Sequence, residues 1–292
     1  MSPEDYVRDE HARNAAMERM WSHTVGIANR ALGNEGHDPN SSLPGREEES
    51  PGTGVAGAWG NHRFILTAKH VLEEAQLRDI NVFARPTASF RHVTEVTLQD
   101  GFVAGPLNDA DATIHRCEWE DLALIAVKPD CLGPYLEFAD VASSWIDPSE
   151  GEYVVGLGFP VSSGTIFSKR VGPVLQGAVL LAPTAFGGDV LPSHTGRYFN
   201  AFSPDDHYLF PYRPATEGKH PRGISGAAMW LQSIENHLVW APRFRFAGIC
   251  TSSYKDGTIE QVVKASVVCE FLAAVFGTAT AARLTEQPPP RI

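Results

Sequence analysis

Residues 63–72 read RFILTAKHVL. Phe64, Ile65 and Leu66 form an aromatic and aliphatic run too short for a helix, and the run gives way at Lys69 and His70. It reads as a short strand that ends at a histidine and passes into a turn, with Val71 and Leu72 covering the inner side of that turn. The same texture spreads outward on both sides. VAGAWG, INVFARP, EVTLQ and LALIAVKP are short β-branched or aromatic runs separated by Gly, Asn, Asp and Pro, so residues 54 to about 138 form one set of strands. A second set opens at YVVGLGFP and continues through SKRVGPVLQGAVLLAP, HYLFPYR, AAMWLQS, HLVWAP and FRFAGICTSS. The GLG at 156–158 is a strand running into a turn and not a phosphate loop, because no helix pattern follows and Pro160 intervenes. No sequence repeat relates the two sets, yet their similar size predicts an all-β chain of two similar halves.

The ends differ from this pattern. Tyr6, Ala12, Ala16 and Met20 recur at helix-like intervals in a charged segment, which predicts a helical extension over residues 3 to about 32. Residues 33–53 carry turn formers and almost no large apolar side chain, so residues 1–45 are expected to be an extension and linker outside the strand sets. The body is then 46–276, with halves at about 52–140 and 150–260. Val263, Val267, Phe271 and Val275 step by four residues and predict an amphipathic C-terminal helix. Residues 277–292, ending EQPPPRI, form an extended tail.

Composition narrows the function. The chain has 292 residues, 43% of them hydrophobic, which suits a folded globular protein. Its formal charge of −11 argues against general nucleic-acid binding, which needs clustered cations. Lys264 and Glu270 interrupt the most apolar stretch, so no membrane span is expected, and the charged start is not a secretory signal. Cys117, Cys131, Cys250 and Cys269 have no CxxC spacing and lie in mostly apolar surroundings, the pattern of reduced thiols in a cytoplasmic protein. His62 and His70 have no Cys or carboxylate at metal-ligand spacing, and neither a metal nor another cofactor is expected.

Three polar residues stand at the edges of apolar runs: His70 after RFILTA, Asp121 before LALIAV, and Ser225 in GISGAAMW (223–230). Taken singly, each is ordinary turn or loop composition. Together they are the three groups of a nucleophilic constellation, in the order His, Asp, Ser. A serine becomes a nucleophile when a histidine accepts its proton and a carboxylate fixes that histidine's tautomer. Gly223 and Gly226 let the serine loop turn its amides inward while the hydroxyl points out.

TAKHV, EDLAL and GISGAA resemble the histidine, aspartate and serine motifs of the trypsin-like (chymotrypsin-fold) serine peptidases. GTGVAGAWGNHRFILTAKHV is similar to that family's first barrel, VVGLGFP to the start of its second, and FAGICTSS to the strand lining its substrate cleft. The resemblance runs from about residue 52 to 275. It implies two six-stranded antiparallel barrels with the active site between them, His70 and Asp121 coming from the first and Ser225 from the second. The implied oxyanion hole is formed by the backbone N–H groups of Gly223 and Ser225, and Cys250, Thr251 and Ser252 would line the cleft. Lys219 and His220, just upstream of the serine, are either cleft cations that favour an acidic substrate side chain or part of a solvated loop. Departures are also visible. Ile224 stands where zymogen-activated members carry an acid, Ala227 replaces a glycine, and the cysteines that flank His and Ser in secreted members are absent, features closer to intracellular or bacterial-type members. The resemblance implies a protein or peptide substrate; the polar N-terminal extension is a candidate contact for a regulatory protein partner. A catalytically silent binding module and an ester hydrolase are the alternatives.

Overall fold

The computed structural model describes residues 20–29, 50–73, 75–84, 102–104, 112–128, 136–149, 153–159, 165–168, 172–175, 179–185, 202–211, 223–233, 243–253 and 259–277. The EVTLQ and HLVWAP runs, the segment before Met20, most of the linker and the tail after Gly277 lie outside these residues.

The first half contains β1 (Thr24–Asn29), β2 (Ser50–Trp59), β3 (His62–Ala68), β4 (Ile80–Ala84), β5 (Phe102–Ala104), β6 (Ala112–Arg116), β7 (Leu122–Val127) and the two-residue β8 (Ala139–Asp140). Seven of these run in the order β5-β4-β1-β2-β3-β7-β6, with antiparallel pairing throughout, and β8 pairs parallel to β2. A short helix, α1 (Val141–Ser144), follows β8. The second half contains β9 (Tyr153–Gly158), β10 (Thr165–Ser168), β11 (Gly172–Leu175), β12 (Val179–Ala185), β13 (His207–Pro211), β14 (Ala228–Ser233), β15 (Arg243–Ser253) and β16 (Ile259–Lys264). Here the order is β12-β9-β14-β15-β16-β13, with β10 and β11 as a separate hairpin. The chain is therefore mostly β, in two antiparallel sheets, as the strand texture predicts. The C-terminal helix is α2 (Ala265–Phe276), which begins two residues after Val263, a residue of β16.

The strands are apolar on both faces because the sheets bury both. Ile65 of β3 and Ala123 and Ile125 of β7 enter a core inside the first half, whereas Phe64, Leu66, Leu122 and Leu124 point the other way. In the second half Val154, Met229, Leu231, Ala247 and Val262 face inward, and Val155, Leu157, Ala228, Trp230, Phe246, Ile249 and Val263 face outward. The outward sets of the two halves meet in a single layer, completed by Val267, Val268, Phe271 and Leu272 of α2. Alternation with a period of two thus divides each strand between two cores.

One expectation is corrected. The helical reading of residues 3–32 reaches Met20 and Trp21, which are helical, and fails at Thr24. TVGIAN alternates large and small residues with a period of two, and Val25 and Ile27 insert into the first half's core. β1 lies between β2 and β4, and Met20 and Trp21 are buried in the layer shared by both halves. Part of the supposed extension is thus a central strand of the first sheet. Likewise Ser50–Thr53, read as linker, belong to β2. Among the described residues, Cys117, Cys250 and Cys269 are free and buried, and Cys131 lies outside them. No helix among the described residues is long and apolar enough to cross a membrane.

Candidate active site

The register of β3 on β7 sets Ala68 opposite Leu122, so the residues just beyond these strand ends come together. His70 stands on a 3-10 turn, Lys69–Leu72, with Val71 and Leu72 buried beneath it. The Lys69 amide donates to the Asp121 carbonyl at 3.1 Å, and Lys69 Nζ donates to the Cys117 carbonyl at 2.8 Å. Asp121 then grips His70 twice: its Oδ1 accepts from the His70 amide at 3.0 Å, and its Oδ2 lies 2.7 Å from Nδ1. Engagement of Nδ1 by a carboxylate puts the proton there and leaves Nε2 as the free ring nitrogen. The His70 side chain is 45% exposed, so Nε2 has access from outside. Burial pulls the His70 pKa down, but the hydrogen bond and charge of Asp121, with the charge of Glu73, hold it above its ordinary value.

Ser225 lies in the turn between β9's neighbour strand β14 and the chain before it, and Gly223 and Gly226 adopt φ values of 96° and 90°. A β-carbon at 226 would collide with the Thr53 carbonyl and the Thr67 hydroxyl, so only glycine permits this approach. The turn is seated on the first half through Thr53. Its amide donates to the Ser225 carbonyl at 2.9 Å, and its hydroxyl donates to the Gly223 carbonyl at 2.9 Å while accepting from the Phe159 amide at 2.9 Å. Thr67, three residues before His70, donates its hydroxyl to the Thr53 carbonyl at 2.6 Å. Ser225 is thereby fixed against the end of the strand that carries His70. Among the described residues, no hydrogen bond is made by Ser225 Oγ or by the amides of Gly223 and Ser225. Acyl transfer would require a hydroxyl and two N–H groups left open in this way. Catalytic hydrogen bonds are often long without a ligand.

The residues expected along the cleft divide. Cys250 and Thr251 are buried, and Ser252 is half-buried. Cys250 faces the core of the second half, so its side chain is not a cleft surface. Instead its backbone carries the serine turn, accepting from the Gly226 amide at 2.7 Å and donating to the Ala227 carbonyl at 2.9 Å. Lys219 and His220 lie outside the described residues. Trp119, 54% exposed two residues before Asp121, rests edge-on against Phe271 of α2. It is an exposed aromatic surface on the turn that carries Asp121, and no motif indicates it.

Sequence reasoning also misses Glu260. Its carboxyl is buried on β16, where the Cys250 thiol donates to Oε2 at 3.2 Å and Oε1 has no partner among the described residues. Burial drives its pKa up to about 8, with the Cys250 hydrogen bond opposing, and burial also raises that of Cys250. The native protein therefore retains a proton that the unfolded chain loses near pH 4.5. Stability is expected to fall as pH rises from about 4.5 toward 8, with this group contributing a slope of about 1.4 kcal/mol per pH unit across that window. Glu260→Gln should flatten the slope and be the more stable protein at pH 8. Urea midpoints of both proteins at pH 5 and pH 8 check it. An unchanged difference between the two pH values places the buried proton elsewhere.

No protein-family model matches the chain, and no curated protein matches it in sequence. Among solved structures, a scabies mite inactivated protease paralogue is similar at a TM-score of 0.51 and 14% identity, over 88% of this chain and 95% of its own. Human heparin binding protein is similar at a TM-score of 0.48 and 10% identity, over 94% of this chain and 96% of its own. The likeness is one of fold, the trypsin-like arrangement of two β halves, and it rests on the first of these structures.

Proposed function

We propose that the chain is a serine endopeptidase acting on protein or peptide substrates through an acyl-enzyme, with Ser225 as nucleophile, His70 as general base and Asp121 as the group that orients His70. The observation that carries this reading is the double grip of Asp121 on His70, 3.0 Å to the amide and 2.7 Å to Nδ1, at the strand end against which the Ser225 turn is seated. Ser225 Oγ attacks the scissile carbonyl carbon while His70 Nε2 takes its proton. The resulting oxyanion is received by the amides of Gly223 and Ser225. Collapse of this intermediate breaks the C–N bond, and His70 returns the proton to the leaving amine. Water, deprotonated by the same nitrogen, then releases the acyl group.

Ile224 is fully buried in the apolar core of the second half. A new amino terminus would find no acid there, and burying its charge would be costly, so competence requires no upstream cut. The setting is cytoplasmic, a reading supported by the free cysteines Cys117, Cys250 and Cys269. A regulatory protein partner would act through the segment before Met20, since Met20, Trp21, Val25 and Ile27 are committed to the cores.

A fluorophosphonate probe tests the nucleophile. Ser225 Oγ should displace fluoride at phosphorus, adding one phosphonyl group to the full-length chain, with peptide mapping locating it at Ser225. A folded chain that takes no label sinks the hydrolase reading in favour of a silent binding module, the reading supported by the unmade Ser225–His70 hydrogen bond. A labelled chain that cleaves esters but no peptide is an ester hydrolase instead.

A further inference from the structure

The turn that presents Asp121 is held from the opposite half of the molecule. Glu120 precedes Asp121, and its Oε2 lies 3.0 Å from Nε2 of His207, the first residue of β13. The His207 side chain is wholly buried and that of Glu120 is 12% exposed. His207 is itself held firmly. The Ser203 amide donates to Nδ1 at 3.0 Å, and the His207 amide donates to the Ser203 carbonyl at 2.8 Å. Lys264, where β16 ends, fastens the intervening turn by donating from Nζ to the carbonyls of Pro204 and Asp205 at 2.6 and 2.8 Å, and from its amide to that of Asp206 at 2.9 Å. A backbone N–H can only donate, so neutral His207 carries its proton on Nε2. Were His207 protonated, Nδ1–H would find the Ser203 carbonyl at 3.2 Å. Nε2 donates to Glu120 in both states, and the contact does not depend on which one is present.

We propose that His207 is a positioning residue for the His70–Asp121 pair, its Nε2–H latching the Asp121 turn through Glu120 so that the second half fixes a carboxylate belonging to the first. Within its own half the Asp121 turn is tied by the Lys69 and Cys117 contacts, and Trp119 of the same turn leans on Phe271 of α2. A free turn would let the carboxylate drift from Nδ1. The catalytic meaning of the latch rests on the peptidase reading, but its effect on His70 does not.

The groups facing His70 are Asp121 and Glu73, which favour its charged form against burial, and loosening Asp121 must lower its pKa. Two near-isosteric replacements separate the ring nitrogens. His207→Gln keeps a donor at the Nε2 position, and His207→Asn keeps only a polar group at the Nδ1 position. The full-length proteins are compared by titrating the His70 imidazole by NMR, with melting temperature as the folding control. His207→Asn is expected to lower the His70 pKa, and to cut kcat about tenfold or more with KM little changed, while His207→Gln stays near wild type. Should the Asn variant fail to fold, Glu120→Ala, on a surface turn, should produce the same fall. Equal His70 titrations in all variants, or equal falls for Asn and Gln, overturn the latch. The titration needs no turnover, so a chain that proves inert toward the fluorophosphonate still decides it.

Discussion

Ser225→Ala is expected to cut peptide hydrolysis by about 10⁴- to 10⁶-fold while leaving the melting temperature almost unchanged. The second half of this expectation is structural. Ser225 Oγ makes no hydrogen bond among the described residues, and the turn is held by backbone groups, the Ser225 carbonyl on Thr53 and the Gly226 amide on Cys250. Removing the hydroxyl is therefore expected to cost catalysis and not packing. His70→Ala should lose a similar factor, and the double variant should be no worse than either single one, because the groups act as a unit. Single-turnover hydrolysis of one peptide by all three variants is the measurement. Wild-type turnover in Ser225→Ala would remove the nucleophile from this reading altogether.

Deleting residues 1–45 is expected to abolish the native fold. The deletion removes β1 from between β2 and β4, together with Met20, Trp21, Val25 and Ile27, which are at most 5% exposed. Each such side chain is worth about 1.5–3 kcal/mol of burial, against a total stability of about 5–15 kcal/mol for a typical domain. The edges of β2 and β4 would also lose their ladder partners. Near-ultraviolet circular dichroism should lose its fine structure, whereas a deletion ending at residue 19 should keep it. A 46–292 fragment with native near-ultraviolet signal and a sharp melt would mean that β1 does not belong to the sheet.

The contrast between these two results also measures what is legible in the chain. RFILTA and LALIAV announce strands because both faces of each are buried, which leaves an unbroken apolar run. Their polar ends, His70 and Asp121, are legible for the same reason, since register alone brings adjacent strand ends together. β1 is hidden because TVGIAN is six residues long and follows a charged stretch with helical spacing, so local pattern favours the wrong period. Thr53 is hidden for a different reason. A threonine in a strand is unremarkable until Gly223, 170 residues away, supplies a carbonyl to its hydroxyl. Glu120 and His207 likewise acquire meaning only from each other, 87 residues apart, and no spacing rule reaches that far.

The layer shared by the two halves has a consequence during synthesis. Phe64, Leu66, Leu122 and Leu124 are in place on a finished first sheet long before Phe246, Ile249, Val263 and α2 exist to cover them. At roughly 5–20 residues per second, the ribosome needs about 7–30 s to pass from β7 to the end of α2. Throughout that interval the nascent first half carries an apolar face that only later chain can hide. Capture by a chaperone, and aggregation when none is present, should therefore begin once β7 has emerged and end when α2 docks. Synonymous codon changes that slow translation after Val127 should lower soluble yield without altering a single contact in the finished protein.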